Sequence, residues 1–388
     1  MTSTAPPDPR AAGPTERRRW IDWLVALLWL GAIVSATLQH GVRTENNNFR
    51  IFRAASRHLV AGTDLYAAYP AEHLDFYKYS PTFALLFSPF AYVPFPLAML
   101  LWSALNAGAL YIAIRLVLPR RAATVARVIV FFDMLGSLQN AQSNSLVAAL
   151  IVLTFAAYER HHTALGSLAA VTGTYVKLFP LAGVSFAIFH PRKLRVALAL
   201  VAGLVLFAVL PLLVTSPDTL LAQYTSWHAI GASDALKLGY SVMNVIEQLF
   251  GAGLPNWPIQ LAGVLTLVAP VVVQRWRWHD WDLRRLYLCS VLVFCVIFNH
   301  LAESPTFVVA ITGVGIWFAA IPRPSRWEWS LLGAIVLFTI LASSDVMPEQ
   351  IQRDFFDRYR FKTVPLIVLW IELQRRLCFP RVREAKPT

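Results

Sequence analysis

Long apolar runs separated by short polar segments dominate the chain from residue 20 onward. None of them alternates apolar and polar positions with the period of two that is typical of a membrane β-strand. The runs, with approximate ends, cover residues 20–38, 97–118, 122–138, 145–158, 164–189, 196–214, 259–273, 286–298, 305–321, 327–341 and 362–373. Because backbone N–H and C=O groups find no water in lipid, such runs indicate helices that satisfy their own hydrogen bonds. The pattern predicts an all-α polytopic membrane protein.

The composition supports a membrane protein and excludes several other classes. Of the 388 residues, 57% are hydrophobic and only 14% are charged, which is too apolar for a soluble domain of this length. The net charge of +12 is concentrated in segments predicted to face the cytoplasm, where anionic lipid accounts for it, so we expect no nucleic-acid partner. The three cysteines lack CxxC spacing and suggest no zinc site.

The expected domain organisation is simple. The first apolar run follows Arg17-Arg18-Arg19 and has no clear small-residue cleavage site, so it should be retained as a membrane span. We therefore expect an N-terminal tail at residues 1–19, one transmembrane domain at 20–377 and a C-terminal tail at 378–388.

The run at 164–189 contains a lysine followed closely by a proline, Lys177-Leu178-Phe179-Pro180, which is unusual inside a membrane span. Proline in mid-run breaks a helix, and we predict a re-entrant hairpin at this point. With that hairpin, every short basic loop falls on one side of the membrane. The positive-inside rule then places both tails in the cytoplasm, and we expect the protein in the inner or plasma membrane.

Two long loops, at 39–81 and 215–258, are left on the external face, and we expect function there. Between Phe49 and Leu59 the apolar residues recur at helical spacing, with arginines at other positions, which predicts a short interfacial helix. Arg50 and Arg53 on this helix suit a phosphate group. The alternative is that these arginines only extend toward lipid head groups.

Seven features occur in an order that resembles glycosyltransferase family 87. After a first span come Asn-Phe-x-x-Phe-x-x-Ala-x-x-x-Leu-x-x-Gly-x-x-Leu-Tyr at 48–66, Tyr-Lys-Tyr-Ser-Pro-Thr-Phe at 77–83, Leu-Trp-x-x-Leu-Asn at 101–106, Gln-Asn-Ala-Gln-Ser-Asn at 139–144, Lys-Leu-Phe-Pro at 177–180 and Ala-Glu-Ser-Pro-Thr at 302–306. The resemblance covers about residues 20–320. It implies a GT-C-like helical bundle and an enzyme that uses a polyprenyl-phosphate sugar, such as mannose, with inversion at the anomeric carbon.

The chain departs from the family at the position of the presumed catalytic base. Many members have an aspartate just before the first phenylalanine of the loop, whereas this chain has Asn46-Asn47-Asn48. An amide cannot accept a proton at neutral pH. The acids that could replace the aspartate are Glu45, Asp64, Asp75 and Glu303. We rank Asp75 first because it lies three residues before Lys78, and Glu303 second because it occupies a short loop between two apolar runs. An ordinary solvated acid at position 75 and a structural ion pair at position 303 are the alternatives.

Further side chains complete the expected site. The donor phosphate should be held by Arg50, Arg53, Lys78 and Lys177, although Lys177 could instead pair with Asp133 inside the bundle. The candidates for contact with the sugar or the acceptor are Asn47, Asn48, Tyr79, Gln139, Asn140, Gln142, Asn144 and His300. The alternative for the run at 139–144 is a turn with capping residues. No HExxH-like spacing occurs, so we expect neither a metal nor another cofactor.

The sequence thus predicts a membrane glycosyltransferase that moves a hexose from a polyprenyl-phosphate donor to a glycolipid or glycan acceptor. A transporter or flippase of lipid-linked sugars would need broken helices in both halves of the chain, and only one broken segment is visible. A non-catalytic scaffold that binds a lipid-linked sugar remains a further alternative because of the three asparagines.

Overall fold

The fold is a bundle of helices, and no β-strand occurs in the part of the chain that is described. The computed structural model describes residues 19–42, 45–234, 237–251, 253–343, 350, 354 and 361–379. The α-helices are α1 (Arg19–Ala36), α2 (Asn47–Ala61), α3 (Pro81–Leu86), α4 (Ser88–Ala91), α5 (Phe95–Val117), α6 (Arg120–Gln139), α7 (Asn144–Glu159), α8 (Thr163–Val176), α9 (Lys193–Val209), α10 (Pro217–Asp234), α11 (Val242–Phe250), α12 (Asn256–Val273), α13 (Trp281–Ile297), α14 (Phe307–Ala319), α15 (Arg326–Ile335) and α16 (Val364–Cys378). The longer 3₁₀ and π segments are Thr37–Gly41, Phe179–Phe189, Leu210–Leu213 and Val336–Ile340.

Five helical segments within the described ranges are long and apolar enough to cross a membrane. They are Trp20–Gly41, Phe95–Val117, Arg120–Gln139, Lys193–Leu213 and Asn256–Val273. The other six predicted runs form shorter elements. Helix α7, for example, has 16 residues and a length of roughly 24 Å, less than the roughly 30 Å of a bilayer core. The all-α membrane fold is confirmed, with fewer full-length crossings than the apolar runs predicted.

The shorter helices α7, α13 and α14 form the centre of the bundle and are almost wholly buried. Helix α14 packs closely on two neighbours through glycines. A Cβ at Gly315 would lie 3.0 Å from the carbonyl oxygen of Ala126 in α6, and one at Gly313 would lie 2.9 Å from that of Cys289 in α13. Small residues allow such close approach of helix backbones in membrane proteins. Protein surrounds these three helices on all sides. They therefore have the apolar composition of membrane helices although they are too short to cross the bilayer.

The predicted hairpin at Lys177 is present. Helix α8 ends at Val176, and the 3₁₀ segment Phe179–Phe189 runs back beside it. The return is fixed by His190, whose Nε2 lies 3.3 Å from Oγ1 of Thr163 at the start of α8. Proline at position 180 lacks an N–H group and cannot continue the helix. Lys177 therefore lies at the tip of the hairpin.

The two ends of the bundle differ in chemistry. At one end, Arg284 of α13 forms an ion pair with Glu159 of α7 at 2.9 Å, and Arg160 donates to the carbonyl of Leu116 at 2.8 Å. At the other end, the thiol of Cys295 in α13 reaches the carbonyl of Phe179, beside the hairpin tip. The short basic loops thus lie opposite the end that carries Lys177.

A buried ion-pair cluster joins α15 to α16. Arg376 donates to Glu328 at 2.8 Å and to Glu372 at 2.6 Å, and the three side chains are at most 8% exposed. Removing one partner leaves a buried charge uncompensated, so Arg376→Ala should lower the free energy of unfolding by about 3–5 kcal/mol. Thermal unfolding of the purified protein in detergent measures this loss.

The matched control is Arg375→Ala. Arg375 also pairs with Glu372, but its side chain is 51% exposed, so its removal should cost about 0–1 kcal/mol. Equal losses in the two variants would contradict a role for burial in this cluster.

Candidate active site

A cleft of about 620 Å³ opens at the end of the bundle that carries Lys177. Its walls include the loop before α3, the hairpin tip, helix α10 and the loop between α13 and α14, and helix α2 and the run at 139–144 also contribute. Its charged, polar and aromatic lining residues include Asn48, Asp75, Lys78, Tyr79, Gln142, Lys177, Trp227, His228, Asp234, Lys237, Asn299 and Glu303. The cleft therefore gathers residues that lie far apart in the sequence, including seven of the predicted site residues.

A hydrogen-bonded group forms the base of the cleft. Nζ of Lys177 donates to Oδ1 of Asn144 at 2.7 Å and approaches Oε1 of Gln142 at 3.4 Å. The hydroxyl of Tyr79 donates to the same Gln142 oxygen at 3.0 Å. The neutral amide oxygens hold the ammonium in place without cancelling its charge, which leaves it available to an anion. Lys177 thus contacts Asn144 and Gln142, and not Asp133, which was the alternative partner.

Helix α5 fixes the polar run at 139–144 that supplies these amides. Nε1 of Trp102 donates to the carbonyl of Ala141, which has a positive φ of 50°, and Oδ1 of Asn106 accepts from the backbone of Leu146. The run is thus a turn, as one alternative predicted, and Gln142 and Asn144 on it face Lys177. The two interpretations of this run are compatible.

The two candidate bases differ in their partners. Oδ2 of Asp75 lies 3.6 Å from Nζ of Lys78, and its Oδ1 accepts from the backbone of Phe76. Glu303 is exposed to the cleft, and its carboxylate has no hydrogen-bond or ion-pair partner among the described residues. A base must have a lone pair available to the proton that it takes. The geometry favours Glu303 over Asp75, the reverse of the order expected from sequence.

Tyr79 is a hydrogen-bond donor at the base of the cleft. Burial, followed by the negative charge of Glu303, raises the pKa of Tyr79 above its ordinary value. The phenol therefore keeps its proton at neutral pH, and Tyr79 donates rather than accepts in its bond to Gln142.

Helix α10 contributes residues that sequence reasoning missed. Oδ2 of Asp234 lies 3.7 Å from Nζ of Lys78, and its Oδ1 lies 2.6 Å from Nζ of Lys237. Trp227 donates its indole N–H to the carbonyl of Lys78, and Gln223 bonds to the backbone of the first loop at Leu65. The second external loop was expected to carry function, but only the folded chain places α10 over the cleft.

The loop that carries Glu303 is tied to the segment after α10. The backbone N–H of Gly239 donates to the backbone carbonyl of His300 at 2.5 Å. The backbone N–H of Tyr240 donates to the backbone carbonyl of Ala302 at 2.8 Å. The His300 side chain lies outside the cleft lining, near Gln260 at 3.4 Å. Burial lowers the pKa of His300, and Asp234 acts in the opposite direction. His300 therefore contributes to the site through its backbone.

The three asparagines make structural hydrogen bonds. Asn46 caps α2 and donates to the carbonyl of Gln139, Asn48 donates to the carbonyl of Asn140, and Asn47 accepts from the backbone of Leu74. They border a second opening of about 810 Å³, called here the asparagine pocket, which is lined by Leu38, Gln39, His40, Glu45, Asn46, Asn47, Asn48, Gln139 and Asn140. Asn48 lines both this pocket and the cleft, so the two are neighbours.

Arg50 and Arg53 are not brought to the cleft. At about 100° per residue, the positions of α2 that line the cleft, Asn48, Ile51 and Phe52, lie on the face opposite the arginines. The arginines border a separate opening of about 280 Å³, called here the arginine pocket, which is lined by Arg50, Arg53, Ala54, Arg57, Glu72 and Phe95. Contact between these two arginines and an anion in the cleft is therefore not supported by the geometry.

The described residues contain no group of three or more His, Cys, Asp or Glu side chains arranged to hold a metal ion. A family model described as glycosyltransferase family 87 matches residues 76–299, more than half of the chain. The match includes Lys78, Tyr79, Gln142, Lys177 and Asp234, whereas Asp75 and Glu303 lie just outside it. A comparison with curated proteins finds no match.

Proposed function

Because the chain belongs to glycosyltransferase family 87, we propose that this membrane glycosyltransferase moves a hexose from a polyprenyl-phosphate donor to a lipid or envelope-glycan acceptor. Sugar transfer by a membrane protein follows from the family. The identity of the hexose as mannose, the donor, the acceptor and inversion at the anomeric carbon are parts of the proposal. The observation that supports it best is the cleft, in which lysine amines and carboxylates surround one cavity.

Lys177 and Lys78 hold the phosphate of the donor in this mechanism. As the bond between the anomeric carbon and the phosphate oxygen breaks, its electron pair moves to that oxygen, and the two ammonium groups stabilise the charge. Asp75 and Asp234 position Lys78 from two sides, at 3.6 and 3.7 Å. Lys177 is held by neutral amide oxygens and forms no ion pair with a carboxylate among the described residues, so its charge is available to the phosphate.

Glu303 takes the proton of the acceptor hydroxyl. The oxygen that loses this proton attacks the anomeric carbon from the face opposite the leaving phosphate, so the new bond forms with inversion. General bases of this kind need direct hydrogen-bond reach to the hydroxyl. The opening of the cleft beside Glu303 gives an acceptor that access.

The acceptor sugar lies in the asparagine pocket in this proposal. The pocket is lined mainly by amide side chains, which match the donors and acceptors of sugar hydroxyls, and Asn48 links it to the cleft. Four residues predicted to bind sugar would act in this pocket: Asn47, Asn48, Gln139 and Asn140. Three others would act at the base of the cleft: Tyr79, Gln142 and Asn144.

We place the cleft on the external face of the membrane. The short basic loops lie at the opposite end of the bundle, and the positive-inside rule assigns that end to the cytoplasm. The donor's polyprenyl chain then remains in the bilayer while its phosphate reaches the cleft from the external leaflet.

The test of the proposal is transfer of radiolabelled mannose from polyprenyl-phosphate mannose to a membrane lipid extract by the purified protein in nanodiscs. The expected result is label in a new glycolipid or glycan. Binding of the donor without any transfer would instead favour the scaffold interpretation, and the absence of both would refute the proposed donor.

Gly239 offers a test of how the Glu303 loop is positioned. A Cβ at Gly239 would overlap the carbonyl oxygen of Ala302 and approach its backbone nitrogen at 2.9 Å, so Gly239→Ala must displace one of the two segments. Small displacements of catalytic groups are costly, and we expect the transfer rate to fall by about 10-fold to 100-fold. Gly108→Ala is the control, because a Cβ there meets no atom of the described part of the chain within 4 Å. An unchanged rate in Gly239→Ala would show that this contact does not position the base.

A further inference from the structure

The arginine pocket is a basic cavity that the proposed reaction does not use. Arg50, Arg53 and Arg57 follow one another on one face of α2, three and four residues apart, and all three line the same opening of about 280 Å³. Glu72 is the only acid among the described residues of the lining, and its Oε1 is already within 3.1 Å of Nε2 of His58. The lining therefore carries an excess of positive charge.

Arg53 is the residue that points to a ligand. Its guanidinium carbon lies 5.3 Å from the centre of the Phe95 ring, and its Nη1 atom is buried without a hydrogen-bond partner among the residues that the structure describes. Within the described ranges, the Arg53 side chain forms neither a hydrogen bond nor an ion pair. Buried polar groups in native proteins nearly always have a partner. A guanidinium with buried, unused N–H donors is thus suited to an oxygen-rich anion that is absent from the chain itself.

The neighbouring arginine is already partly engaged. Nη2 of Arg57 donates to the carbonyl of Ala91 at 3.1 Å, which fixes the direction of its guanidinium at the rim. Burial, followed by the positive charge of Arg57, lowers the pKa of Arg53 below its ordinary value. An anion placed between these two side chains would remove that repulsion.

We propose that the arginine pocket binds a phosphate group, with Arg53 as its principal ligand and Arg57 as a second. A phosphate presents several acceptor oxygens in the geometry that guanidinium forks match best. The pocket, at about 280 Å³, is large enough for a phosphate group. Because it lies on the face of α2 opposite the cleft, this site is separate from the one proposed for the donor phosphate, and it does not depend on the proposed reaction.

The same chemistry is offered by a lipid head group and by free phosphate, and two arms of one experiment distinguish them. In the first, thermal unfolding of the purified protein in neutral detergent is measured with inorganic phosphate and with chloride at equal ionic strength. In the second, it is measured in nanodiscs of phosphatidylcholine with and without phosphatidic acid. We expect a rise in melting temperature of about 2 °C or more in at least one arm.

Arg53→Gln is the test variant, and Arg195→Gln, which removes one exposed charge at the start of α9, is the control. The rise should be absent in Arg53→Gln and unchanged in Arg195→Gln. A rise confined to the nanodisc arm identifies a lipid phosphate, and one in detergent identifies free phosphate. No rise in either arm, or an equal rise in Arg53→Gln and the wild type, would overturn the proposal.

Discussion

Replacing Glu303 by glutamine should lower the rate of sugar transfer by about 10²–10⁴-fold, the range that general-base catalysis contributes. The amide has nearly the shape of the carboxylate but cannot accept the acceptor's proton. Because the carboxylate has no hydrogen-bond or ion-pair partner among the described residues, the substitution breaks no hydrogen bond or ion pair there. Donor affinity should therefore remain close to that of the wild type, and the measurement is label transfer together with donor binding in nanodiscs.

Asp75→Asn is the matched control for the choice of base. Asp75 is paired with Lys78, so its amide variant should loosen that lysine and raise the concentration of donor needed for half-maximal rate, with a smaller loss of maximal rate. Loss of transfer in Asp75→Asn with full activity in Glu303→Gln would restore the order expected from sequence. Full activity in both variants would refute both assignments.

Substitution of Lys177 by methionine should lower kcat/KM for the donor by about 10²–10³-fold, which is the scale of removing one electrostatic contact to a developing charge. Methionine keeps the length and apolar stem of the side chain but loses the ammonium that Asn144 and Gln142 orient. Steady-state transfer with varied donor measures the change. Lys177→Arg should recover part of the activity, because it restores a positive charge.

Lys237→Met is the control for Lys177→Met. It tests whether the loss of any lysine near the cleft has the same effect as the loss of Lys177. Lys237 is at the rim with its side chain 65% exposed, and its charge is already shared with Asp234. Its substitution should change kcat/KM much less than that of Lys177. Equal losses in the two variants would argue that overall positive charge, and not the contact at the base of the cleft, attracts the donor.

The helices and the hairpin could be predicted from the sequence because their signals are local. Continuous apolar runs gave the element type, and a lysine followed by Pro180 gave the break after α8. The number of helices that cross the whole membrane could not be predicted from the local sequence. Helices α7, α13 and α14 are as apolar as true spans because protein surrounds them, and hydropathy does not distinguish a protein neighbour from a lipid neighbour.

Which of the candidate residues meet in the cleft depends on long-range packing, which the local sequence does not show. Local motifs marked Lys78 and Tyr79 in the segment 77–83, Gln142 in the polar run at 139–144 and Lys177 before Pro180. The fold places these four residues together. Arg50 and Arg53 were equally recognisable, but only tertiary contacts decide which face of α2 meets the cleft. Asp234 precedes Lys237 by three residues, the same spacing as Asp75 and Lys78, but only the fold brings it to its second partner, Lys78, in a different loop.

The backbone link between Gly239 and His300 has a consequence for the timing of events during a catalytic cycle. Asp234 at the end of α10 accepts a backbone bond from Lys237, and two residues later the chain bonds to the loop that holds Glu303. Helix α10 and the loop of Glu303 are therefore linked through the backbone. In the proposed mechanism we expect a movement of α10 toward the donor to displace this loop as well, so that shielding of the donor from water is coupled to removal of the acceptor's proton.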